Sequence, residues 1–279
     1  MKAGADAERP EPRIGPLLKR WRNARRMSQL ELALAADVSP RHLSFLEAGR
    51  AKPSREMLLR LSRALDVPFR ESNVLLQAAG FAAVYRETSM NEPEMEGMRH
   101  ALQLILRQHE PFAAVAVDRQ WDIVMVNAPY AGLLAGMLLT PAPAPAPLTL
   151  IPPPRPNALR LFFDPRGFRP HIENWAPVAR EILGRLNREV LWNGNGAAGA
   201  LLRDLLATEG VPPDWRQPEL EVAPSLVLPL EIRLGECKAR FFTTLTTVGA
   251  PQDVTLQELR VESFHPADAD TERLVRGST

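Results

Sequence analysis

The stretch from Ser28 to Glu47 (SQLELALAADVSPRHLSFLE) constrains the fold of this chain more than any other segment. Its apolar spacing predicts two short helices joined by a tight turn at Asp37-Val38-Ser39. Ser28 stands where it can cap the first helix, and Ser39 where it can cap the second. Pro40 then occupies the first helical position, where its missing N–H costs nothing. The segment therefore predicts a helix-turn-helix.

The two helices are expected to have distinct inner and outer faces. The inner positions of the first helix are predicted to be Leu30, Leu32, Leu34 and Ala35, and those of the second Leu43 and Leu46. The outer face of the second helix then carries Arg41, His42, Ser44 and Phe45. A compact unit with one free helix fits the major groove of DNA, which is wide enough to admit a helix.

Further short helices are predicted on both sides of this segment. They cover Ile14–Arg26, with a basic outer side, then Arg55–Leu65, and a last helix from Pro68 to about Ala79. Gly49 follows the second helix of the motif, where it can form a left-handed cap. Five helices with a leucine-rich interior predict a self-sufficient domain over residues 9–80.

This region resembles the Cro/repressor-like helix-turn-helix family, also called the xenobiotic-response-element (XRE) family. The matching residues are Leu18, Arg20, Arg22, Ser28, Gln29, Leu32, Ala33, Val38, Ser39, Leu46, Glu47, Gly49, Arg50, Pro53 and Ser54. The resemblance covers the first third of the chain. It implies a transcription regulator that binds double-stranded DNA at a palindromic operator as a homodimer.

Candidate DNA contacts follow from the predicted outer face and its basic rim. They are Ser28, Gln29, Ser39, Arg41, His42, Ser44, Phe45, Arg50, Lys52 and Arg55. Arg41 is the first candidate for a base contact, because a guanidinium can bind guanine at two atoms; contact with phosphate alone is the alternative. Ser28 and Gln29 open a helix whose N-terminal N–H groups favour phosphate. Glu47 is expected to pair with Arg20 or Arg22 inside the domain.

Charge is divided unevenly along the chain. The formal net charge is only +1, yet residues 9–86 carry 15 Lys and Arg against 7 Asp and Glu. From residue 87 onward the counts are 18 and 24. A basic module joined to an acidic one is the balance expected of a DNA-binding domain with a separate sensing domain. A single cysteine, Cys237, excludes an intrachain disulfide, and no apolar run approaches the ~20 residues of a membrane span. We therefore expect a soluble, cytoplasmic protein.

A connector over residues 81–93 precedes the second domain, which is predicted over 94–270. Its first helix, Glu94–Glu110, places Met95, Met98, Leu102, Ile105 and Leu106 on one side. This stripe is expected to pack within the chain, with pairing to a second protomer as the alternative. Two β-like runs, Ala113–Val117 and Trp121–Val126, predict a hairpin, followed by a helix over Tyr130–Leu138.

The remainder of the domain is predicted to be helical first and β-rich afterwards. A Pro/Ala-rich insertion at 141–156 should be exposed and polyproline-like. Asn157–Leu206 is mainly helical. Ser225–Leu234, Cys237–Val248 and Thr255–Phe264 then alternate as strands. Together these elements predict an α+β chain, in which the five-helix domain is followed by a five-stranded antiparallel sheet with helices over one face.

This order resembles the PAS fold, with Asn127 directly after the second strand. The segments PFAAVAVDRQWDIVMVN, NALRLFFDPRGFRPHIENW and TTLTTVGAPQDVTLQELRVESFHPAD resemble the ligand-binding domain of MmyB-like bacterial regulators. That resemblance implies a PAS-like domain with a small, lipophilic effector such as a fatty acid. The insertion is its clearest departure.

Candidate ligand contacts are apolar residues of the strands and adjoining helices, with a few polar ones for a head group. They are Trp121, Ile123, Met125, Asn127, Arg160, Phe162, Phe163, Arg169, Trp175, Leu228, Phe241, Thr243 and Leu245. Composition cannot distinguish such a pocket from a filled core. A protein-interaction or dimerisation module without a small ligand is therefore the alternative function for this domain.

No catalytic constellation stands out, so we expect no enzyme, no cofactor beyond a bound effector, and no metal. The five histidines and Cys237 lack metal-ligand spacing. The GNGAAG run at 194–199 matches a dinucleotide fingerprint only formally, because a helix and not a strand is predicted before it.

Overall fold

The computed structural model describes residues 14–137, 145–193, 196–216 and 227–277. The chain divides into two compact units, one up to Arg86 together with Gln252–Val254, the other comprising the rest from Glu87. The predicted α+β class is confirmed. No helix within the described ranges is long and apolar enough to cross a membrane.

The first unit contains the five predicted helices. They are α1 (Ile14–Ala24), α2 (Gln29–Ala35), α3 (Pro40–Glu47), α4 (Arg55–Ala64) and α5 (Phe69–Ala78). Ser28, Ser39 and Ser54 cap α2, α3 and α4, each side chain accepting a hydrogen bond from a backbone N–H of the first turn. Asp37 and Gly49 have positive φ angles of 52° and 70°, which end α2 and α3.

The core of this unit is built from leucines of all five helices. Its fully buried members include Leu18, Leu32, Ala33, Leu43, Leu46, Leu58, Leu61 and Leu75. The predicted inner face of α2 was wrong in part: Leu30 and Leu34 are 57% and 72% exposed, and Ala35 is also exposed. Residues two apart in a helix point to nearly opposite sides, so burial of Leu32 turns Leu30 and Leu34 outward.

A glycine allows α1 to approach the end of α3. A Cβ atom on Gly15 would lie 2.6 Å from the carbonyl oxygen of Glu47 and 2.7 Å from that of Leu46. No side chain fits at that distance, so the bare Cα of Gly15 sets how closely α1 packs against α3.

The second unit contains the predicted five-stranded antiparallel sheet. Its strands are β1 (Ala114–Val117), β2 (Ile123–Val126), β3 (Leu230–Leu234), β4 (Cys237–Thr247) and β5 (Arg260–Pro266), in the order β2-β1-β5-β4-β3. The helices are α6 (Glu96–Gln108), α7 (Ala128–Met137), α8 (Ala158–Phe163), α9 (Trp175–Asn193), α10 (Ala197–Leu206), α11 (Val254–Glu258) and α12 (Ala269–Gly277). The hairpin of β1 and β2 is thus joined to the strands β3, β4 and β5 by the pairing of β1 with β5.

Helices cover both faces of this sheet, whereas one face was predicted. On one face, Val115, Ile123 and Phe264 join a core with α7, α8, α9 and α10. On the other face, Ala116 and Val124 pack against Leu102 and Leu106 of α6. Both faces of β1 and β2 are apolar, so a helix on one side alone would leave the other in water.

The apolar stripe of α6 packs within its own unit, as expected, except at one position. Met95, Leu102 and Leu106 are buried, but Ile105 is 41% exposed. Ile105 precedes Leu106 by one residue and is therefore rotated away from the sheet by about 100°. Leu104 beside it is 43% exposed.

Two of the three late strands, β3 and β5, begin further along the chain than predicted, whereas β4 begins at Cys237 as predicted. The segment Thr255–Glu258 belongs to α11, so the last strand starts at Arg260. Leu228 lies before β3, which starts at Leu230, while residues 225 and 226 lie outside the described residues.

The described part of the Pro/Ala-rich insertion lies against the sheet. In its described part, from 145, the N–H groups of Leu148 and Ile151 donate to carbonyls of Val126 and Val124. Ile151 is buried. The prediction of a wholly exposed segment was therefore wrong for 145–156, which covers the edge of β2; residues 141–144 lie outside the described ranges.

Candidate functional site

The outer side of α3 is open in the first unit because its inner side is fixed by packing. Leu43 and Leu46 are fully buried against α1 and α2. Capping by Ser39, whose Oγ accepts from the N–H of His42 at 3.1 Å, sets where the helix begins. The helix thus presents a defined face on a rigid base.

A buried ion pair ties α3 to α1. The Arg22 guanidinium donates to both carboxylate oxygens of Glu47, at 2.7 and 2.9 Å, and Gln29 donates to the same carboxylate at 2.9 Å. Burial acts to raise the pKa of Glu47, but the hydrogen bonds from Arg22 and Gln29 outweigh it and the pKa is lowered. The expected partner of Glu47 is therefore Arg22, and Gln29 has a role inside the domain.

The predicted base-contacting residues differ in exposure. Arg41 and Phe45 are exposed, with the Arg41 guanidinium 5.5 Å from the centre of the Phe45 ring. His42 and Ser44 are half-buried. The buried Nε2 atom of His42 has no hydrogen-bond partner among the described residues. The two outermost side chains of α3 are therefore Arg41 and Phe45.

The predicted phosphate contacts surround this face. Arg50, Lys52 and Arg55 are exposed. Ser28 and Ser39 are also exposed, although each hydroxyl accepts a capping hydrogen bond from its own helix. Arg50, Lys52 and Arg55 are therefore three cations accessible to solvent, as contacts to a phosphate backbone require.

The second unit contains a partly open cavity of about 160 Å³ between the sheet and helices α7, α8 and α9. Most of its wall is apolar. The lining residues are Tyr130, Leu133, Met137, Ala158, Leu159, Phe162, Phe168, Ile172, Val178, Glu181, Ile182, Arg185, Leu228, Leu230, Ile232, Phe241, Thr243, Glu262 and Phe264. An apolar cavity with a few polar groups is typical of a small-molecule site.

Three polar side chains of the cavity interact with Glu262. Thr243 hydrogen-bonds to the Glu262 carboxyl; burial raises the pKa of this carboxyl, against the influence of Arg185 and Thr243. Burial, and next the Glu262 charge, raises the pKa of the Tyr130 phenol. Burial lowers the pKa of Arg185, which Glu262 opposes. A carboxyl, a guanidinium and two hydroxyls thus share one apolar enclosure.

The Arg185 side chain is held by an aromatic ring and not by a carboxylate. Its guanidinium lies 4.7 Å from the centre of the Trp121 ring, and its buried Nε has no hydrogen-bond partner among the described residues. Arg260 also lies over Trp121, at 5.6 Å, but it pairs with Glu189 at 2.5 Å.

Only part of the predicted ligand set lies at the cavity. Phe162, Leu228, Phe241 and Thr243 line it. Four other predicted residues belong to the core around the cavity but do not line it: Trp121, Ile123, Phe163 and Trp175. Leu245 is 38% exposed, and Met125 lies in the separate core under α6. A side chain on the α6 face of the sheet points away from the cavity.

The predicted head-group residues have structural partners. Asn127 Oδ1 accepts from the N–H groups of Ala114 and Tyr130, at 3.0 and 3.1 Å, and its Nδ2 donates to the carbonyl of Phe112 at 2.8 Å. Arg160 pairs with Asp204 at 2.5 Å.

Arg169 lies over the Trp175 ring at 4.0 Å and donates to the carbonyl of Glu209. Neither Arg160 nor Arg169 lines the cavity.

Sequence reasoning missed the charged cavity residues, although one signal was present. Glu262 precedes Phe264 by two positions in β5 and so shares its face, which points into the core. A charged residue at a core-facing position of a strand is uncommon and indicates a functional site. Arg185 carried no comparable signal, because Arg180, Arg185 and Arg188 look alike along α9.

A second, larger groove of about 840 Å³ lies next to the cavity. Leu133, Ile232 and Phe241 line both, and the groove continues past Cys237 to Val275 and Arg276 of α12. Within the described ranges, no three His, Cys, Asp or Glu side chains come together as metal ligands.

Two family models match the chain. Residues 98–276 match the MmyB-like transcription regulator ligand binding domain, and residues 18–72 match a helix-turn-helix family. The chain belongs to the MmyB-like transcription regulators. It is a DNA-binding regulator with a ligand-binding domain, and neither family is an enzyme family.

Curated relatives match less than a quarter of the chain. Multiprotein-bridging factor 1 of Saccharomyces cerevisiae is 36% identical over 64 residues, which are 23% of this chain and 42% of that protein. Its Candida albicans counterpart is 34% identical over 61 residues, 22% and 40% of the two lengths. The chain thus spans about two fifths of each. Among solved structures, the clp gene regulator ClgR from Corynebacterium glutamicum is 32% identical, with 37% of this chain and 99% of that one covered and a TM-score of 0.22.

Proposed function

We propose that this regulator recognises its operator through the outer face of α3, with Arg41 contacting a base. The observation that carries the proposal is the exposure of Arg41 and Phe45 on a helix fixed by the Arg22–Glu47 ion pair. A guanidinium can bind guanine at two atoms, and the Phe45 ring suits a thymine methyl group. The exposed Arg50, Lys52 and Arg55 supply phosphate contacts.

The regulator is proposed to bind as a homodimer to a palindromic site in a bacterial cytoplasm. Two recognition helices related by a two-fold axis require half-sites about one DNA turn, roughly 10 base pairs, apart. The exposed Leu104 and Ile105 of α6 are the apolar pair that a second protomer would cover.

The cavity of the second unit is proposed to bind a small lipophilic effector, resembling a fatty acid in carrying a polar head on an apolar body. Its apolar lining with a few polar groups supports this proposal. Effector binding would alter operator affinity by favouring one spacing of the two DNA-binding domains in the dimer. The change cannot exceed the difference in effector affinity between the two arrangements.

Arg41→Ala tests the base contact. The full chain first selects its operator from random duplexes, and each single-base variant of that operator is then titrated with wild type and variant. A base contact predicts a loss of about 1–3 kcal/mol and relaxed specificity at one base pair per half-site. A loss of equal size for every sequence would show that Arg41 contacts phosphate only.

Extraction of the purified chain tests the effector proposal. Native mass spectrometry should find a small apolar molecule bound to the second unit, released on unfolding. A cavity that remains empty with every apolar compound tried would favour a protein-interaction module, and would leave the operator proposal intact.

A further inference from the structure

The outer side of α6 is a helix face that the sheet does not cover. The helix packs on the sheet through Leu102 and Leu106, which are buried, whereas Leu104 and Ile105 are exposed. The outer positions follow one another at steps of four, three and four residues, and they are Gly97, Ala101, Leu104 and Gln108. Steps of three and four residues form a continuous seam along a helix, which is the pattern that a second helix packs against.

Small residues in this seam allow a second helix to come close. Nothing lies within 4 Å of the position that a Cβ atom on Gly97 would occupy. Ala101, one turn later, carries only a methyl group. A helix that runs in the opposite direction would place its own Leu104 beside Ala101 and its own Gln108 beside Gly97. The two seams are therefore complementary in size when the helices are antiparallel.

Two charged side chains flank the seam at its opposite ends. Glu96 and Arg107 are exposed on the same side of it, and neither forms a hydrogen bond or an ion pair within the described part of the chain. They are eleven positions apart, about 16 Å along the helix, so they cannot pair with each other in one chain. In an antiparallel pair of α6 helices, Glu96 of each copy lies near Arg107 of the other. In a parallel pair, like charges would meet instead.

We propose that two copies of this chain associate through their α6 helices, packed antiparallel about a two-fold axis, with Ala101 and Leu104 at the centre and Glu96 paired with Arg107 at both ends. A two-fold axis requires a self-complementary surface, and both the seam and its flanking charges have that property. The inference rests on the proposed homodimer and gives it a surface and an orientation. A pair of 13-residue helices is smaller than a stable interface of about 800 Å² per partner, so the association is weak and concentration-dependent.

Exchange of the flanking charges tests the orientation. Sedimentation velocity of the full-length chain at low salt, up to about 100 μM, should show a reversible monomer–dimer equilibrium. Glu96→Arg and Arg107→Glu should each weaken dimerisation about tenfold, because the two-fold axis turns two attractive pairs into two repulsive ones. The double variant should restore the wild-type dissociation constant. If these residues only stabilise α6, the double variant should be the worst of the three, since both of its charges oppose the helix dipole.

A substitution in the seam tests the surface itself. Leu104→Glu places a carboxylate at the centre of the interface and should leave the chain monomeric over the same concentration range. Leu191 is an equally simple site for the control, because it is an exposed leucine of α9 in the same unit. Leu191→Glu should dimerise as the wild type does. Loss of the dimer in Leu191→Glu but not in Leu104→Glu would place the interface elsewhere.

Native mass spectrometry of the operator complex separates this inference from the proposed function. A chain that is monomeric at every concentration, or a dimer that is unaffected by the charge and Leu104 variants, would overturn the α6 interface. If two chains still occupy one operator in that case, the proposed homodimer stands. One chain per operator, together with a dimer in solution that the double charge exchange restores, would leave the α6 interface standing and refute the dimeric operator complex.

Discussion

In the helix-turn-helix unit, Arg22 meets both oxygens of Glu47 at 2.7 and 2.9 Å, whereas in the ligand-binding unit Arg185 and Glu262 face one cavity without a hydrogen bond between them in the described part of the chain. Buried charge that is paired fixes a helix in position. A buried ionisable group without such a partner is costly to keep charged, and burial accordingly raises the pKa of Glu262 and lowers that of Arg185. The first unit therefore uses its buried charges to fix a helix, whereas the second unit places its own at the wall of a cavity.

Breaking the Arg22–Glu47 pair is expected to have the largest effect. The two side chains are only 11% and 3% exposed. Glu47→Ala leaves the Arg22 charge buried and should lower the free energy of unfolding of the first unit by about 3–5 kcal/mol. Hydrogen-exchange mass spectrometry, which follows each unit separately, measures the change. The exposed Glu56→Ala should cost less than about 1 kcal/mol; equal losses would refute the special role of the pair.

An alanine-to-leucine substitution in each unit compares the filled core of the first unit with the cavity of the second. Ala33 is fully buried in the first unit, so Ala33→Leu should cost about 1–3 kcal/mol through overpacking. Ala158 lines the cavity, where the added atoms enter open space, and Ala158→Leu should cost about 0.5 kcal/mol or less. Denaturant-dependent hydrogen exchange reports both values. Similar costs at the two positions would mean that the cavity is already filled.

Two glycines should respond to alanine with opposite signs. At Gly15 the new Cβ meets the carbonyls of Leu46 and Glu47. Although alanine favours a helix more than glycine does, the net result should be a loss of about 1–2 kcal/mol in the free energy of unfolding of the first unit. At Gly97 in α6 nothing lies within 4 Å of the new Cβ, so Gly97→Ala should stabilise the second unit by about 0.5–1 kcal/mol. The same exchange measurement decides, and a loss at Gly97 would contradict the open space around it.

The smallest expected effect is on the salt dependence of operator binding, which distinguishes the charged surfaces of the two units. Lys52→Ala should lower the slope of log affinity against log salt by about one, because one phosphate contact is lost. Lys238 pairs with Glu173 in the second unit, so Lys238→Ala should leave the slope unchanged. Operator titrations at several salt concentrations provide the comparison; an unchanged slope for Lys52→Ala would remove it from the phosphate rim.

The two units also differ in how much of their structure could be predicted from the sequence. The caps Ser28 and Ser39 and the helices that they open were predicted correctly, because capping acts between residues three apart. An internal pairing of Glu47 with Arg20 or Arg22 was also predicted, but only the structure selects Arg22. At the cavity, four predicted residues line the wall, whereas Asn127 and Arg160 serve structural bonds.

Local spacing, caps and composition were enough to predict the helix-turn-helix, most of the order of elements, and the division into a basic and an acidic half. Only the tertiary structure decided that α6 covers the second face of the sheet, that α11 replaces the start of the last strand, and that Arg185 and Glu262 meet at one cavity. Those two residues lie on different elements, α9 and β5, and their proximity depends on how a helix packs over a sheet. Packing of that kind is a property of the whole unit, which no local pattern records.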